Sequence, residues 1–450
     1  MILAVSHRQQ LNGNRKCENE KIQFGNNYDW KMKTIFFVNK KSLKSQGLKF
    51  FCSIRNLFEF VLFFIFLFIF AGKQDLYAQN NYPPAKNTFR VAIFAPLYLD
   101  SLFNGSQLRS ETFIPKYAAG GLDFIQGAQI AFDTLNLHGK HVDAFIYDSK
   151  SNTQSIPWLI KNGKLNNIDL IIGSIKQPEY QQLADFSLQK QIPFISATYP
   201  NDGGVRHNPF LIIVNATLRS NCQAIFSYLV QKHSADDIYL VKKQNDNRID
   251  NYFKEINLVD GKNFLKIKTI MIDSSLSPTQ LRYLIDTTKS SVIIGASLDE
   301  TFSQKLADAC YPIQKTNRLE LIGMPNWDGF SAWYKKNAYT DFPIRYTSPH
   351  YIAKENGFEN YLSNRYLQLY RIQPNDMAEK GFETTYNFTS LLMNHPGSFM
   401  ENLNDTTNAP LHNFNFQPIY YSHDKSIADY YENKHLFIMQ IINGAIIRQW

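Results

Sequence analysis

Cysteine is scarce: the 450 residues hold four, and only Cys222 and Cys310 lie beyond residue 78. Two thiols are too few for a disulfide framework. Cys222 falls in the series Cys222, Ile225, Phe226, Leu229, Val230, the i, i+3, i+4, i+7, i+8 spacing of an apolar helix face, and Cys310 follows Phe302 and Leu306 in the same way. Both read as core thiols that behave as small hydrophobes, rather than as a disulfide or a metal pair. Net charge is nearly missing beyond residue 78, although the whole chain carries +8. The chain carries 47 Lys/Arg and 39 Asp/Glu, but residues 1–78 hold 12 of the former and 5 of the latter, so residues 79–450 carry a surplus of one positive charge. A body this close to neutral, with no Lys/Arg block, lacks the electrostatic footprint of a nucleic-acid partner. The familiar catalytic signatures are absent: there is no Gly-x-Ser-x-Gly, no His-Glu-x-x-His, no phosphate loop and no Gly-x-Gly-x-x-Gly after the first strand. We therefore expect no enzyme, no cofactor and no metal; His138 and His141 flank a turn without further ligands nearby, the pattern of an exposed loop.

What the leader contains explains its charge. A basic stretch from Arg8 to Arg55 precedes the apolar run Leu57–Ala71, interrupted by Glu59 and followed by a polar segment ending at Ala78. The run is shorter than the ~20 residues of a bilayer span and reads as a signal peptide cleaved after Ala78. Met32, between two lysines, is a second candidate start. Cys52 precedes the run, so no lipid is expected at the cleavage site. The expected product is periplasmic and not an integral membrane protein after processing.

Beyond residue 88 the sequence alternates short apolar β-rich runs with amphipathic stretches. Val91–Leu97, Val142–Asp148, Asp169–Gly173, Pro193–Ala197 and Phe210–Ala216 are near-continuously apolar, as strands covered on both faces must be. Between them, Phe124, Ala128, Ala131 and Leu135 form one helical stripe, and 179–189 forms a second helix. The rhythm continues through strands at 237–242, 265–272, 291–296 and 319–324, with helices at 220–232, 252–258, 279–287 and 301–310. This βα series is too long for one core and predicts two lobes. An extended run at 342–352 and helices at 358–370 and 378–393 follow. Asn443-Gly444 between two apolar runs predicts a terminal hairpin, because both turn positions need positive φ.

The order of these elements resembles the type I periplasmic binding proteins, the receptors of branched-chain amino-acid ABC transporters. The matching residues are Leu122 to Ala128 opening the first helix, Asp148, Ile171 to Ser174, Ile192 to Ser196, the 210–221 crossover, and Gly381-Phe382-Glu383, where the family usually has Gly-Tyr-Asp. The segment from Pro96 to Asp100 and the long loop after it are similar to a Bacteroidetes envelope branch often fused to LysM repeats; no such repeat occurs here. The resemblance implies an α/β fold of two Rossmann-like lobes with parallel sheets flanked by helices, joined by three hinge strands at 214–216, 346–349 and 416–418. Lobe 1 would comprise residues 79–215 and 347–415, and lobe 2 residues 216–346 and 416–450.

Ligands of open α/β sheets bind beyond the carboxyl ends of the strands, where helix N-termini direct N–H groups into the crevice. The candidate contacts are therefore Tyr98, Ser174, Lys176, Ser196, Thr198, Tyr199, Asp246, Ser297, Asp299, Asn326, Trp327 and Asp328. Each of the Ser, Thr, Asn and Asp residues can equally be a helix cap or turn former. By the resemblance, Ser174, Ser196 and Thr198 would hold a carboxylate, although Lys176-Gln177-Pro178 replaces the usual small hydroxyl residue at the helix start. Trp327 is expected to wall the cleft, where its removal would leave the unliganded protein as stable as before. The expected function is a secreted receptor that closes over a small polar ligand, such as an amino acid, and delivers it to an ABC permease. The alternative is an envelope interaction module that binds a protein partner or the peptidoglycan-synthesis machinery.

Overall fold

The structure, a computed structural model, describes residues 88–450 apart from 110–112, 138–140, 273–275, 336–337, 352–356, 408–410 and 423. The expectations for the leader, including cleavage after Ala78, and His138 of the two-histidine turn lie outside the described residues.

The first series runs β1 (Phe89–Ala95), α1 (Lys116–Leu137), β2 (Val142–Asp148), α2 (Ile156–Lys161), β3 (Leu170–Gly173), α3 (Glu179–Lys190), β4 (Phe194–Ser196) and β5 (Leu211–Ile213). The second runs α4 (Leu218–Lys232), β6 (Asp237–Lys243), α5 (Arg248–Asn257), β7 (Ile267–Ile272), α6 (Pro278–Leu284), β8 (Ser291–Gly295), α7 (Glu300–Gln314), β9 (Leu319–Ile322) and β10 (Ile344–Ser348). The chain then forms α8 (Gly357–Tyr370), α9 (Asp376–Asn394), β11 (Phe416–Ile419), β12 (Tyr430–Asn433), β13 (Phe437–Ile442) and β14 (Ala445–Arg448). Among the described residues no helix is long and apolar enough to cross a membrane.

Two seven-stranded sheets result, ordered β11-β12-β5-β4-β3-β1-β2 and β7-β6-β8-β9-β10-β13-β14. Each is parallel except at the edge built by the C-terminal strands, so the chain has the two-lobed α/β architecture expected from its rhythm. Val91 through Ala95 are fully buried because helices cover both faces of the first sheet. One face packs on α1, α8 and α9, the other on α2 and α3. The terminal hairpin forms at Asn443 and Gly444, with φ of 51° and 77°. Cys222 and Cys310 are free and buried as the helical spacing predicts; burial pushes the Cys222 thiol up to about 12 and raises that of Cys310 as well.

Helices α1 and α9 cross so closely that neither tolerates a side chain at the crossing. A Cβ on Gly127 would overlap the Ala378 carbonyl, and one on Gly381 would overlap that of Phe124. The glycines of the two sequence motifs thus interlock backbone against backbone, which fixes where the N-terminal end of α9 stands.

The segment from residue 416 differs from the expected boundary. Phe416–Ile419 pairs antiparallel with Tyr430–Asn433, which in turn pairs in parallel with β5, Tyr431 opposite Ile212. Buried Phe416 and Tyr430 belong to the cores of the first lobe, so the third crossing lies between Asn433 and Phe437 rather than at 416–418. The other two run between Ile213 and Leu218 and between Ser348 and Gly357. Glu432, buried, ties two crossings together: it accepts the Thr217 N–H at 2.7 Å and the Lys434 ammonium at 2.7 Å, and Asn433 donates to the Val214 carbonyl at 3.4 Å.

Candidate functional site

At the carboxyl end of the first sheet, Asp148 accepts backbone N–H groups from Leu97, Tyr98, Leu99 and Lys150 at 2.9, 3.1, 2.7 and 2.9 Å. The carboxylate organises the turn after β1, where Tyr98 adopts a left-handed φ of 54° and sets its ring edge-on to Tyr117 at 4.8 Å. Ser174 and Thr198, at the ends of β3 and β4, share a hydrogen bond of 3.1 Å between hydroxyls. The Thr198 carbonyl accepts the Asn215 amide at 2.9 Å, which anchors this corner to the first crossing. Ser196 is buried next to the Tyr180 hydroxyl, and Tyr199 stands edge-on to Tyr180 at 5.0 Å. The fold therefore brings Ser174, Ser196, Thr198 and Tyr199 together, leaves Lys176 exposed in the loop before α3, and sets Tyr98 against Tyr117 of α1.

The matching corner of the second sheet is built differently. Trp327 is fully buried, and its indole lies across the ends of β8 and β9, where a Cβ on Gly295 or Gly323 would collide with the ring. Its N–H donates to the Ser297 carbonyl at 3.0 Å, Trp333 stacks on it at 5.7 Å, and the Trp333 N–H donates to the Trp327 carbonyl at 2.6 Å. The expectation that Trp327 walls the cleft is corrected: the ring has no exposed surface and belongs to the core of the second lobe. Ser297, also buried, accepts the Asp299 N–H at 3.2 Å, and Asn326 donates to the Leu298 carbonyl at 2.8 Å while its own amide oxygen finds no partner among the described residues. Asp299 caps α7 by accepting the Phe302 N–H at 2.7 Å and pairs with Lys243 at 3.3 Å, so capping accounts for it. Asp246 lies half-buried in the turn after β6.

Asp328 faces the other lobe. Burial raises its carboxyl above the usual range, Lys380 opposes the rise and Asp376 adds to it; both belong to the first turns of α9. On the same helix, burial and then the charges of Asp376 and Glu359 push Glu379 up to about 7. Tyr334, raised to about 12 by burial and by Asp328 and Asp376, donates its hydroxyl to the Asp328 carbonyl at 2.8 Å. Sequence reasoning missed Asp376, Glu379, Lys380 and Tyr334. The first three look like an ordinary acidic helix start, and no periodicity marks which lobe they face.

One turn further along α9, Glu383 is buried between two histidines. His350 Nδ1 lies 3.2 Å from Glu383 Oε2, and His412 Nδ1 lies 2.6 Å from Oε1. Burial alone would raise the carboxyl of Glu383, but the His412 charge and the two imidazoles outweigh it and hold the group down to about 2. Burial depresses His350 to about 4; burial also opposes protonation of His412, yet Glu383 prevails and raises it. Among the described residues these three are grouped so that they could hold a metal ion, with one donor atom from each lying within 4.8 Å of the others. The sequence pointed to none of this, since His350 and His412 stand singly in extended segments.

Beneath the loop after β1 lies a cavity of about 420 Å³, walled mainly by apolar side chains such as Leu97, Leu102, Leu108, Leu122 and Ile125. Phe113 of the same loop and Tyr117 in the first turn of α1 are exposed.

No family model matches the chain, and no curated protein matches it. Solved structures do resemble it. A protein assigned to branched-chain amino acid ABC transport in Rhodospirillum rubrum is 12% identical with a TM-score of 0.58, the match covering 80% of this chain and 100% of that one. A branched-chain amino acid ABC transporter periplasmic ligand-binding protein from Burkholderia xenovorans LB400 is 9% identical with a TM-score of 0.54, covering 80% and 94%. An ABC transporter substrate-binding protein from Sphaerobacter thermophilus is 13% identical with a TM-score of 0.51, covering 80% and 96%. At such identities the likeness is one of fold.

Proposed function

We propose that this chain is a secreted, non-catalytic receptor that closes over a small polar solute between its lobes and presents it to an ABC-type permease. The observation that carries the reading is the placement of two sets of strand ends, joined by three crossings, with polar side chains on both sides. Closure requires a ligand that gains contacts in the closed state which the open state lacks. On the first lobe those contacts are Ser174, Ser196, Thr198 and Tyr199, suited to a carboxylate, with Lys176 and Tyr98 at the margin. On the second they are Asn326 and Asp328, supplemented by Asp246, and an acid there suits an ammonium group. Amino acids and short peptides carry both groups. Thermal-shift measurement against amino acids, short peptides and muropeptides tests the proposal: a ligand at 100 times its dissociation constant adds about 2.7 kcal/mol. A flat response across the panel rejects it.

A second reading is favoured by the cavity and the exposed aromatics of the loop after β1. In it the fold serves as an envelope interaction module for a protein or the peptidoglycan-synthesis machinery, as in the LysM-fused branch. A panel without a hit, together with co-purification of a cell-wall protein that Phe113→Ser abolishes, would support it.

A further inference from the structure

We propose that His350, Glu383 and His412 form a binding site for a divalent transition ion, Zn²⁺ foremost, which clasps three chain segments where the second crossing enters the first lobe. His350 follows β10 on the crossing itself, Glu383 lies on α9, and His412 precedes β11. The three side chains are 11%, 1% and 7% exposed, so water is nearly excluded from them.

Hydrogen bonding leaves this cluster unfinished. The 2.6 Å approach between His412 Nδ1 and Glu383 Oε1 does not follow a hydrogen-bond direction: both atoms, together with His350 Nε2 and His412 Nε2, are buried without a hydrogen-bond partner among the described residues. Buried polar atoms are normally satisfied, and four unsatisfied ones on three touching side chains are a concentrated exception. A cation held by His412 Nδ1 and Glu383 Oε1 takes two lone pairs that have no donor, and one nitrogen of His350 completes the set of protein ligands. The donor set selects the ion, because two imidazoles and one carboxylate suit Zn²⁺ and its neighbours, whereas Ca²⁺ and Mg²⁺ require oxygen shells. A tetrahedral ion with bonds of about 2.0–2.1 Å holds its donors about 3.3 Å apart. The His350–Glu383 separation of 3.2 Å already meets that spacing, and the donors' 4.8 Å envelope asks for a modest ring adjustment. Outside the donors stands an aromatic shell, with the His412 ring edge-on to Phe414 at 4.8 Å and to Phe437 of β13 at 5.6 Å. Such an apolar surround excludes water and strengthens the ion's hold.

The test uses the full chain, purified without a histidine tag and stripped with a chelator. Zn²⁺ alone binds at one ion per chain and raises the melting temperature, and Co²⁺ in its place gives the intense visible bands of a low-coordinate site, which Zn²⁺ abolishes. His350→Gln, Glu383→Gln and His412→Gln each weaken Zn²⁺ at least 100-fold, whereas His395→Gln, a histidine paired with Asp405, leaves it unchanged. Where a variant fails to fold, X-ray absorption of the zinc-loaded wild-type protein reads two imidazoles and one carboxylate. Absence of cobalt bands from the wild type, retention of those bands in the three variants, or a different ligand set in the absorption spectrum overturns the site.

Discussion

The two lobes finish their strands in the same geometric position with opposite chemistry. In the first, the ends of β3 and β4 carry Ser174, Ser196, Thr198 and Tyr199, and the Ser174–Thr198 hydroxyl pair is only partly enclosed. In the second, the ends of β8 and β9 terminate in two glycines roofed by Trp327, which is itself stacked on Trp333. The first corner keeps hydrogen-bonding capacity available, while the second uses its largest side chain to hold loops in place. A loop rich in polar residues can thus be a surface or the lid of a core, and the glycines beneath it reveal which.

Variants can break this comparison, beginning with the largest effect. Trp327→Ala removes a fully buried indole and its N–H bond to Ser297, and should cost about 3–5 kcal/mol in denaturant unfolding of the unliganded protein. A cost below about 1 kcal/mol would return Trp327 to the cleft wall. Gly381→Ala forces a methyl group into the Phe124 carbonyl at the α1–α9 crossing and should cost about 1–3 kcal/mol by the same measurement. Thr198→Val at the open corner should change stability by only about 1 kcal/mol, yet weaken an identified ligand about tenfold in calorimetric titration.

A separate effect, read along pH rather than as the cost of a variant, comes from Glu379. The folded protein holds Glu379 at about 7, above its ordinary 4.5, so it binds that proton more tightly than the unfolded chain does. Stability from this group is therefore present at low pH and is lost as pH rises from about 4.5 through about 7. Glu379→Gln should flatten that segment of the melting-temperature profile; a slope equal to wild type would place the charge elsewhere.

Much of the fold was legible because it rests on local signals. The apolar runs of β1 to β5, the stripe Phe124, Ala128, Ala131, Leu135 and the Asn443-Gly444 turn each announce an element within a few residues. Sheet membership after residue 416 was not legible, because β12 owes its place to pairing with β5 some two hundred residues earlier and β11 joins the sheet through β12. The site was legible only as positions after strands. Whether Asp328 faces α9 depends on lobe against lobe, whether Asp299 caps α7 or meets a ligand depends on how the strand ends are arranged, and the His350–Glu383–His412 cluster depends on three distant segments meeting at one crossing.

Closure itself is the claim to test most directly. With Cys17 and Cys52 replaced by serine, spin labels at Lys176→Cys and Asn245→Cys occupy exposed loops on opposite lobes, and buried Cys222 and Cys310 leave the labelling selective. Electron–electron resonance then measures the distance between lobes with and without the panel compound that raises the melting temperature most. A shorter, narrower distance distribution on saturation is the predicted result; a melting shift with an unchanged distribution would contradict closure around a solute.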